Sequence, residues 1–274
     1  MNFNTLPASH YSVTDLATYL NEGFEDYIVP IQFTPPAFLN MLRKDGMDLT
    51  SSRVLLTEGE PCGIALIAHR GWTSRLAAMG ISKKMRGKGA GSWLMDELIK
   101  EACEREDREM VLEVIEQNEP AVKLYEKYGF QRMRRLVGCI RTDAKEDQKS
   151  DLQEIDLREL SRLIAQYGLP DLPWQLSAES VAQMNPPARA YRKGPAYIAI
   201  SNPSLDHVVV WSLLVEQDAR GQGLGTGLLK STIANHPDKT WHMPALCPEE
   251  LWKVFERANF EREDLSQWQM KLSL

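Results

Sequence analysis

A glycine-rich hexapeptide occurs twice in this chain, first at 86–91 (RGKGAG) and again 134 residues later at 220–225 (RGQGLG). After each copy, leucine and isoleucine recur at the spacing of an amphipathic helix that begins at the glycines. A second pair of similar segments, at 124–130 and 254–260, is separated by 130 residues. Two landmarks at nearly the same spacing indicate a duplicated unit, so the chain is expected to fold as two related domains.

The boundary between the two predicted domains falls in a polar segment. The residues 142–151 (TDAKEDQKSD) include no large apolar side chain, so they cannot contribute to a hydrophobic core and predict a linker. The expected organisation is an N-terminal domain at 1–143, a linker at 144–152 and a C-terminal domain at 153–274.

The order of the predicted elements indicates a mixed α/β fold. In the first domain, apolar periodicity and turn residues predict helices at 13–24, 36–44, 91–104 and 120–128. The same criteria predict strands at 53–57, 62–69, 75–81, 110–115 and 130–140. The resulting order, ααβββαβαβ, predicts a mixed central sheet flanked by helices.

Composition excludes several classes of protein. The chain has 32 basic and 38 acidic side chains and a net charge of −6, so no nucleic-acid partner is expected. Its four cysteines lie far apart and its five histidines form no cluster at metal-ligand spacing, so neither a disulfide framework nor a metal site is expected. No apolar run approaches the roughly 20 residues of a spanning helix. The first residues lack the pattern of a signal peptide, so no membrane association and a cytoplasmic location are expected.

The glycine-rich turn at 86–91 has the features of an anion site. The predicted strand before it leads into four cations, Lys83, Lys84, Arg86 and Lys88. Backbone N–H groups at a glycine turn and at a helix start can bind an anion, and the helix dipole adds to the attraction. The alternative is a tight left-handed turn beside a solvated lysine patch. Neither the P-loop pattern nor the dinucleotide fingerprint fits either copy.

Two parts of the first domain together resemble a known family. The pattern Arg86-x-x-Gly89-x-Gly91 lies between a predicted strand and a predicted helix, and Asn118 and the segment LYEKYGF at 124–130 follow it. This combination resembles the GNAT superfamily of N-acetyltransferases over 10–140. The second domain resembles the same superfamily over 154–274, with a poorer match in its second half. The chain is thus similar to a tandem member, which implies two acyl-CoA N-acyltransferase folds, each with a strand, glycine-rich turn and helix as its coenzyme site.

The resemblance implies acetyl-CoA as a co-substrate. In the family, the glycine-rich turn holds the pyrophosphate, and the preceding strand pairs with the pantetheine arm through its backbone. An N–H group of that strand would also stabilise the thioester oxygen in the transition state. The implied coenzyme-binding residues are Met79, Gly80, Ile81, Arg86, Gly87, Lys88, Gly89, Ala90, Gly91, Ser92 and Asn118.

The resemblance also implies a catalytic pair. Some N-terminal-amine acetyltransferases of the superfamily have a glutamate and a tyrosine in the elements that here contain Glu113 and Tyr125. Glu113 would be the general base that takes a proton from the amine, and Tyr125 the general acid that protonates the thiolate. Glu116 is the alternative base. The structural alternatives are a solvated strand carboxylate at Glu113 and a core aromatic at Tyr125.

The second domain departs from the family pattern where the chemistry would lie. Phe255, Pro248 and Met243 occupy the positions of the tyrosine, the asparagine and the glutamate. Its glycine-rich turn keeps Arg220 but is less cationic than the first. The C-terminal domain is therefore expected to be degenerate, and catalysis is expected in the N-terminal domain.

The expected function is transfer of an acetyl group from acetyl-CoA to a primary amine of a small molecule, peptide or protein, by direct attack in a ternary complex. The alternatives are a non-catalytic CoA-binding regulatory module and a relative that transfers an aminoacyl or long acyl group. Glu22, Glu25 and Asp26 would suit a cationic acceptor, although an acidic helix end explains them equally well. Both a monomer and a homodimer remain open.

Overall fold

The computed structural model describes residues 2–30, 32–144 and 150–274, with only the backbone of Asp143 and Ala144. The described chain forms two compact units. Unit 1 comprises 1–133 together with 268–274, and unit 2 comprises 134–267. Of the predicted linker at 144–152, residues 145–149 lie outside the described residues. The domain bounds expected from the sequence stay a prediction.

Unit 1 contains every helix and strand that the sequence predicts for 13–128, and one further strand. Its helices are α1 (Val13–Gly23), α2 (Pro35–Asp45), α3 (Ala90–Glu104) and α4 (Glu119–Lys127). Its strands, in chain order, are β1 (Phe3–Pro7), β2 (Met47–Thr57), β3 (Glu60–Arg70), β4 (Thr73–Ile81) and β5 (Glu109–Ile115).

Unit 2 follows a similar order of elements. Strand β6 (Gln131–Ala144) enters it from unit 1. The helices that follow are α5 (Leu157–Tyr167), α6 (Ala178–Ala182), α7 (Leu224–Asn235) and α8 (Trp252–Glu256). The remaining strands are β7 (Gln153–Ile155), β8 (Arg189–Lys193), β9 (Ala196–Ile200), β10 (His207–Val215), β11 (Lys239–Pro248) and β12 (Glu261–Ser273).

Local sequence signals explain where the helices of unit 1 begin. Ser12 and Asp15 form a reciprocal capping box at the start of α1. Thr34 caps α2, whose first residue is proline, and Gly46 ends this helix with a φ of 66°. The side chain of Asn118 caps α4 by accepting a hydrogen bond from the Ala121 N–H group at 3.4 Å. These caps fix the helices on either side of the sheet.

The sheet of unit 1 has helices on both faces. Its strand order is β1-β2-β3-β4-β5-β12, and β4 and β5 run parallel. Alternate residues of a strand point to opposite faces. Leu55 and Ile67 accordingly belong to the cluster beneath α3 and α4, whereas Val54 and Leu66 pack with α1 and α2. The mixed α/β fold predicted from the sequence is confirmed.

Unit 2 repeats this construction. Its strand order is β6-β11-β10-β9-β8-β7, in which β10 and β11 form the parallel pair. On β9, Ile198 and Ile200 join the cluster beneath α7 and α8. Tyr197 and Ala199 face α5 and α6 instead. In the part of the chain that the structure describes, no helix is long and apolar enough to span a bilayer.

The last strand of the chain completes the core of unit 1. Residues 268–274, which include the end of β12, belong to unit 1 although they lie more than 130 residues after β6 leaves it. Met270 is fully buried within the α3 and α4 cluster. The Leu274 N–H group donates to the Arg108 carbonyl at 3.0 Å. The core of unit 1 therefore depends on both ends of the sequence.

Replacing Met270 with alanine is expected to lower the free energy of unfolding by about 2–5 kcal/mol, because it leaves a cavity in the core of unit 1. Urea-induced unfolding of the full chain measures the change. Ser273→Ala, at an exposed position of the same strand, is the control, with an expected change within about 0.5 kcal/mol. Equal changes in both variants would show that the C-terminal strand contributes no core packing to unit 1.

Candidate active site

The two parallel strands of unit 1 diverge after a short paired stretch. Strands β4 and β5 pair at only three positions, Thr73–Glu109, Ser74–Met110 and Arg75–Val111. The register between β3 and β4 then shifts, which leaves Ala77 as a β-bulge. A bulge bends and twists the strand that carries it. The end of β4 thus turns away from β5 and opens a cleft beside Met79, Gly80 and Ile81.

Unit 2 opens in the same way. Strands β10 and β11 pair at three positions, His207–Thr240, Val208–Trp241 and Val209–His242. The register between β9 and β10 shifts at the next residues and leaves Trp211 as the bulge. Each unit therefore has a parallel strand pair that is closed at its start and open at its end.

The glycine-rich turns lie at the open ends of these strand pairs. Gly87 and Gly89 have φ values of 73° and 84°, and Gly221 and Gly223 have values of 78° and 77°. This left-handed conformation favours glycine. No side chain caps α3 or α7, which start after Gly89 and Gly223. The first N–H groups of each helix have no intrahelical partner, so they can bind an anion at the turn.

The first arginine of each glycine-rich turn holds the turn in place. Arg86 Nε donates to the Ile81 carbonyl at 3.0 Å, and its Nη2 donates to the carbonyls of Gly23 at 3.0 Å and Glu25 at 2.8 Å. Arg220 Nε likewise donates to the Val215 carbonyl at 3.1 Å, and its Nη2 donates to the Tyr167 carbonyl. In both units this guanidinium joins the strand end to the end of a helix. A direct contact of Arg86 with a coenzyme stays a prediction.

Close packing of two glycines brings α1 against the open end of β4. A Cβ atom on Gly23 would lie 2.7 Å from the Cα atom of Gly80, a distance that real Cβ atoms do not reach. Any side chain at either position would push α1 away from β4. The predicted coenzyme residue Gly80 therefore also has a packing role.

Helices α3 and α4 meet beside the turn through residues of the predicted site. A Cβ atom on Gly91 would lie 3.5 Å from the Leu124 side chain and 3.9 Å from that of Met79. The Tyr128 hydroxyl donates to the Ser92 carbonyl at 2.7 Å. These contacts bring the start of α3, the end of β4 and the end of α4 together.

Residues 17–130 match the sequence model of the acetyltransferase (GNAT) family. The similarity to this family therefore holds for residues 17–130. This family consists of N-acetyltransferases, which are acyltransferases, and the matched region contains the open strand pair, the first glycine-rich turn and α4. The family resemblance inferred from the sequence is confirmed over this region.

Solved structures show the same fold over the whole chain. A GCN5-related N-acetyltransferase from Sphaerobacter thermophilus is 13% identical, with a TM-score of 0.69 and coverage of 99% of this chain and 95% of the other. A putative acetyltransferase from Pyrococcus horikoshii is 11% identical, with a TM-score of 0.68 and coverage of 100% and 89%.

The tandem architecture is also found in a solved relative. A tandem GNAT protein from the clavulanic acid biosynthesis pathway is 15% identical, with a TM-score of 0.64 and coverage of 99% of this chain and 98% of the other. The predicted arrangement of two GNAT folds in one chain is confirmed. Comparison with curated proteins gave no match.

The two glycine-rich turns of this chain differ in charge. Lys84 and Lys88 are exposed at the first turn, and Lys83 Nζ forms an ion pair with Asp26 at 2.6 Å. At the same offsets from the glycines, the second turn carries Gln217, Asp218 and Gln222 in place of the three lysines. The two turns share a backbone conformation, but the first alone has the lysines that would attract several phosphate charges.

Glu113 lies in a buried ion pair. Its Oε2 atom is 2.8 Å from both Nε and Nη2 of Arg75, and the two side chains are 3% and 4% exposed. Arg75 Nη1 also lies 3.4 Å from Asp45 of α2. The carboxylate predicted to be the general base is thus a buried partner of Arg75, and not a solvated strand residue. Its role as the general base stays a prediction.

Tyr125 is buried on α4 beside two other polar groups. Its ring packs edge-on against Phe130, with 5.7 Å between the ring centroids. Burial raises the pKa of its hydroxyl, and the nearby Tyr27 raises it further. Burial also raises the pKa of Tyr27, and a side-chain hydrogen bond with Asn118 opposes this rise. Tyr27 thus interacts both with Asn118, which caps α4, and with Tyr125 in the second half of that helix.

Several residues of this site could not be identified from the sequence. Arg75, Gly23 and Tyr27 reach it from separate elements, and none lies within a motif of the family. Tyr128 packs against the core of unit 1, and its hydroxyl also donates a hydrogen bond to the backbone of α3. The sequence contains a signal for the contact of Tyr128 with α3, because Tyr128 follows Leu124 by one helical turn and therefore lies on the same face of α4.

Unit 2 places apolar residues at the corresponding positions. The register of the parallel pairs places Pro244 at the position of Glu113, and it places Met243, which the sequence predicts there, at the position of Leu112. Met243, Pro248 and Phe255 line a cavity between the open strands and the second glycine-rich turn. Phe255 packs against Phe260 as Tyr125 packs against Phe130. Among the described residues, no group of three or more potential ligands could hold a metal ion.

Glu113→Gln is expected to lower the free energy of unfolding by about 3 kcal/mol, because it leaves the buried Arg75 without its main counter-charge. The matched control is Glu119→Gln, which removes an exposed carboxylate paired with Lys123, for an expected change within about 0.5 kcal/mol. Urea-induced unfolding measures both changes. A loss in Glu113→Gln no greater than in the control would rule out a stabilising ion pair.

Proposed function

We propose that unit 1 is an acetyl-CoA-dependent N-acetyltransferase. The observation that carries this proposal is the open end of β4, which leads directly into an uncapped, lysine-rich glycine turn within the region matched by the family. Acetyl-CoA has a long amide-containing arm and a polyphosphate group. The exposed strand backbone suits the arm, and the N–H groups and lysines of the turn suit the phosphates.

The proposed coenzyme contacts use backbone more than side chains. The backbone of Met79, Gly80 and Ile81 would hydrogen-bond to the pantetheine arm, and one N–H group would stabilise charge on the thioester oxygen. The N–H groups of the turn and of the first turn of α3 would hold the pyrophosphate. These groups belong to Gly87, Lys88, Gly89, Ala90, Gly91 and Ser92. Asn118 would donate to the arm from the start of α4.

The proposed reaction is a direct transfer. The nitrogen of a neutral amine attacks the thioester carbonyl carbon, an amide bond forms, and the carbon–sulfur bond breaks. The amine loses one proton to a base, and the thiolate receives one from an acid. The buried Tyr125 hydroxyl has a raised pKa, so it carries its proton at neutral pH and can donate it to the thiolate.

Glu113 is the proposed base, and Glu116 is the alternative. Glu113 lies on β5 beyond the last residue that pairs with β4, at the point where the cleft opens. Its ion pair with Arg75 fixes the carboxylate there. A base acting through water would tolerate this arrangement better than one that touches the amine.

The acceptor is a primary amine of a small molecule or a peptide. Asp26 would contribute negative charge near the cleft, although its ion pair with Lys83 offsets that charge. The competing function is a CoA-binding regulatory module without catalysis, which would need the turn but not Tyr125. The monomeric or dimeric state and the cytoplasmic location stay predictions.

Substitution of a turn glycine by glutamate tests coenzyme binding in each unit. Gly89→Glu is expected to weaken acetyl-CoA binding by about 100-fold or more, because it places a negative charge beside the phosphates and removes charge-assisted hydrogen bonds. Gly223→Glu is a matched control, since both glycines have a positive φ and no atom within 4 Å of an added Cβ. Isothermal titration of the full chain is expected to show one site per chain, lost only in Gly89→Glu. Loss of that site in Gly223→Glu alone would assign the coenzyme to unit 2.

The catalytic pair is tested by steady-state kinetics with acetyl-CoA and a reactive primary amine. Tyr125→Phe is expected to lower kcat by about 100-fold while coenzyme affinity stays nearly unchanged, because a general acid acts in the transition state. Tyr167→Phe in unit 2 is the control and is expected to retain the wild-type rate. Glu113→Gln is expected to lower kcat more than Glu116→Gln does. A wild-type rate in Tyr125→Phe would exclude this residue as the acid, and the reverse order of the glutamate variants would assign the base to Glu116.

A further inference from the structure

Unit 2 contains a cavity that the proposed acetyltransferase reaction does not use. It has a volume of about 370 Å³ and lies where β10 and β11 diverge, between the end of α5 and the start of α7. Ligand sites commonly have volumes of about 300–1,000 Å³, so this cavity is large enough for a small molecule. It is formed entirely by residues of unit 2.

The walls of the cavity are apolar. Buried or half-buried side chains surround it on every element that borders it. They include Ile164, Leu172, Leu213, Leu214, Met243 and Phe255. Displacement of water from such a surface by an aliphatic chain lowers the free energy.

The charged residues of the lining are both basic. Arg220 and Arg257 are exposed at its rim, and no aspartate, glutamate or lysine contributes to the lining. Arg220 already donates to two backbone carbonyls, but its positive charge remains. The uncapped start of α7 at Gly223 adds a partial positive charge at the same rim. Apolar walls with a basic rim are complementary to a molecule with an apolar body and an anionic head.

The second turn is poorly suited to the polyphosphate group of CoA. Gln217, Asp218 and Gln222 stand where the first turn has lysines, so this segment carries Arg220 and Asp218 as its only charges between 217 and 225. The three phosphate groups of CoA would have few cationic partners there, whereas a single carboxylate needs only one. Pro248, at the position of Asn118, also has no side-chain group that could bind the amides of a pantetheine arm.

We propose that unit 2 binds a medium-chain carboxylate, such as a fatty acid of about ten carbons, with its chain in this cavity and its head at the basic rim. The chain lies between the open strands, against Leu213 and Leu214 on one side and Met243 on the other. The carboxylate lies at Arg257 and the start of α7. This second site is independent of acetyl-CoA binding in unit 1.

Titration of decanoate into the full chain tests the site. We expect one decanoate per chain in the presence and in the absence of saturating acetyl-CoA. Leu213→Asp is expected to weaken decanoate binding by about 30-fold or more, because it places a charge on an apolar wall. Leu213 is half-buried, which favours a folded variant, and Leu172→Asp on the α5 side of the cavity provides a second test. Thermal unfolding checks that each variant is folded.

Met79→Asp is the matched control, since Met79 holds the position of Leu213 in unit 1. It is expected to weaken acetyl-CoA binding and to leave decanoate binding unchanged. Arg257→Gln is expected to weaken decanoate by roughly fivefold, as an exposed ion pair would. Decanol, which has the same chain without the charge, is expected to bind less tightly than decanoate.

Three outcomes would overturn the proposal. Failure of decanoate to bind the wild-type chain would show that the cavity takes no such ligand. Displacement of decanoate by acetyl-CoA in the Met79→Asp variant would identify the cavity as a coenzyme site. Equal binding of decanol and decanoate would remove the assigned role of the basic rim.

Discussion

The site in each unit depends on one event in the sheet, which is the divergence of two parallel strands after three paired residues. Strands in a parallel ladder normally satisfy each other's backbone groups along their length. Here a bulge at Ala77 or Trp211 turns one strand away and leaves an open edge beside a glycine-rich turn. Two contacts in unit 1 stabilise this opening. The contact between Gly23 and Gly80 and the guanidinium of Arg86 hold a helix against the diverging strand.

The two units share the parts that create the opening and differ in the parts that would use it. Arg220 repeats the backbone hydrogen bonds of Arg86, and the glycines of both turns have the same left-handed conformation. These features determine the course of the backbone around the cleft, but not which molecule the cleft binds. The chemical character comes from the side chains around the cleft. Unit 1 has lysines, an asparagine and a tyrosine there, whereas unit 2 has glutamines, a proline and a phenylalanine at the corresponding positions. One fold can thus present a polar cleft in one unit and an apolar cavity in the other.

Local patterns were sufficient to predict most of the fold, and non-local pairing explains what they missed. Apolar periodicity and turn residues predicted α1 to α4 to within a few residues, because these signals lie within or next to one element. The sequence did not reveal that Met270 completes the core of unit 1, since nothing near Met270 specifies a partner so distant in the chain. The same limit applies to Arg75 and Glu113. Their pairing depends on the register between β4 and β5, which alternation within either strand does not fix.

The position of the Arg75–Glu113 pair suggests how the opening is kept at one place. Arg75 is the last residue of β4 that pairs with β5, and Glu113 lies two residues beyond its backbone partner Val111. The side-chain pair therefore bridges the strands at the position where the backbone ladder ends. Two buried charges are stable only in close contact, so separation of the strands at this position would break the pair. The ion pair thus opposes opening of the strands before the point at which the cleft begins. A glutamate that serves as a base at this point would owe its position to Arg75.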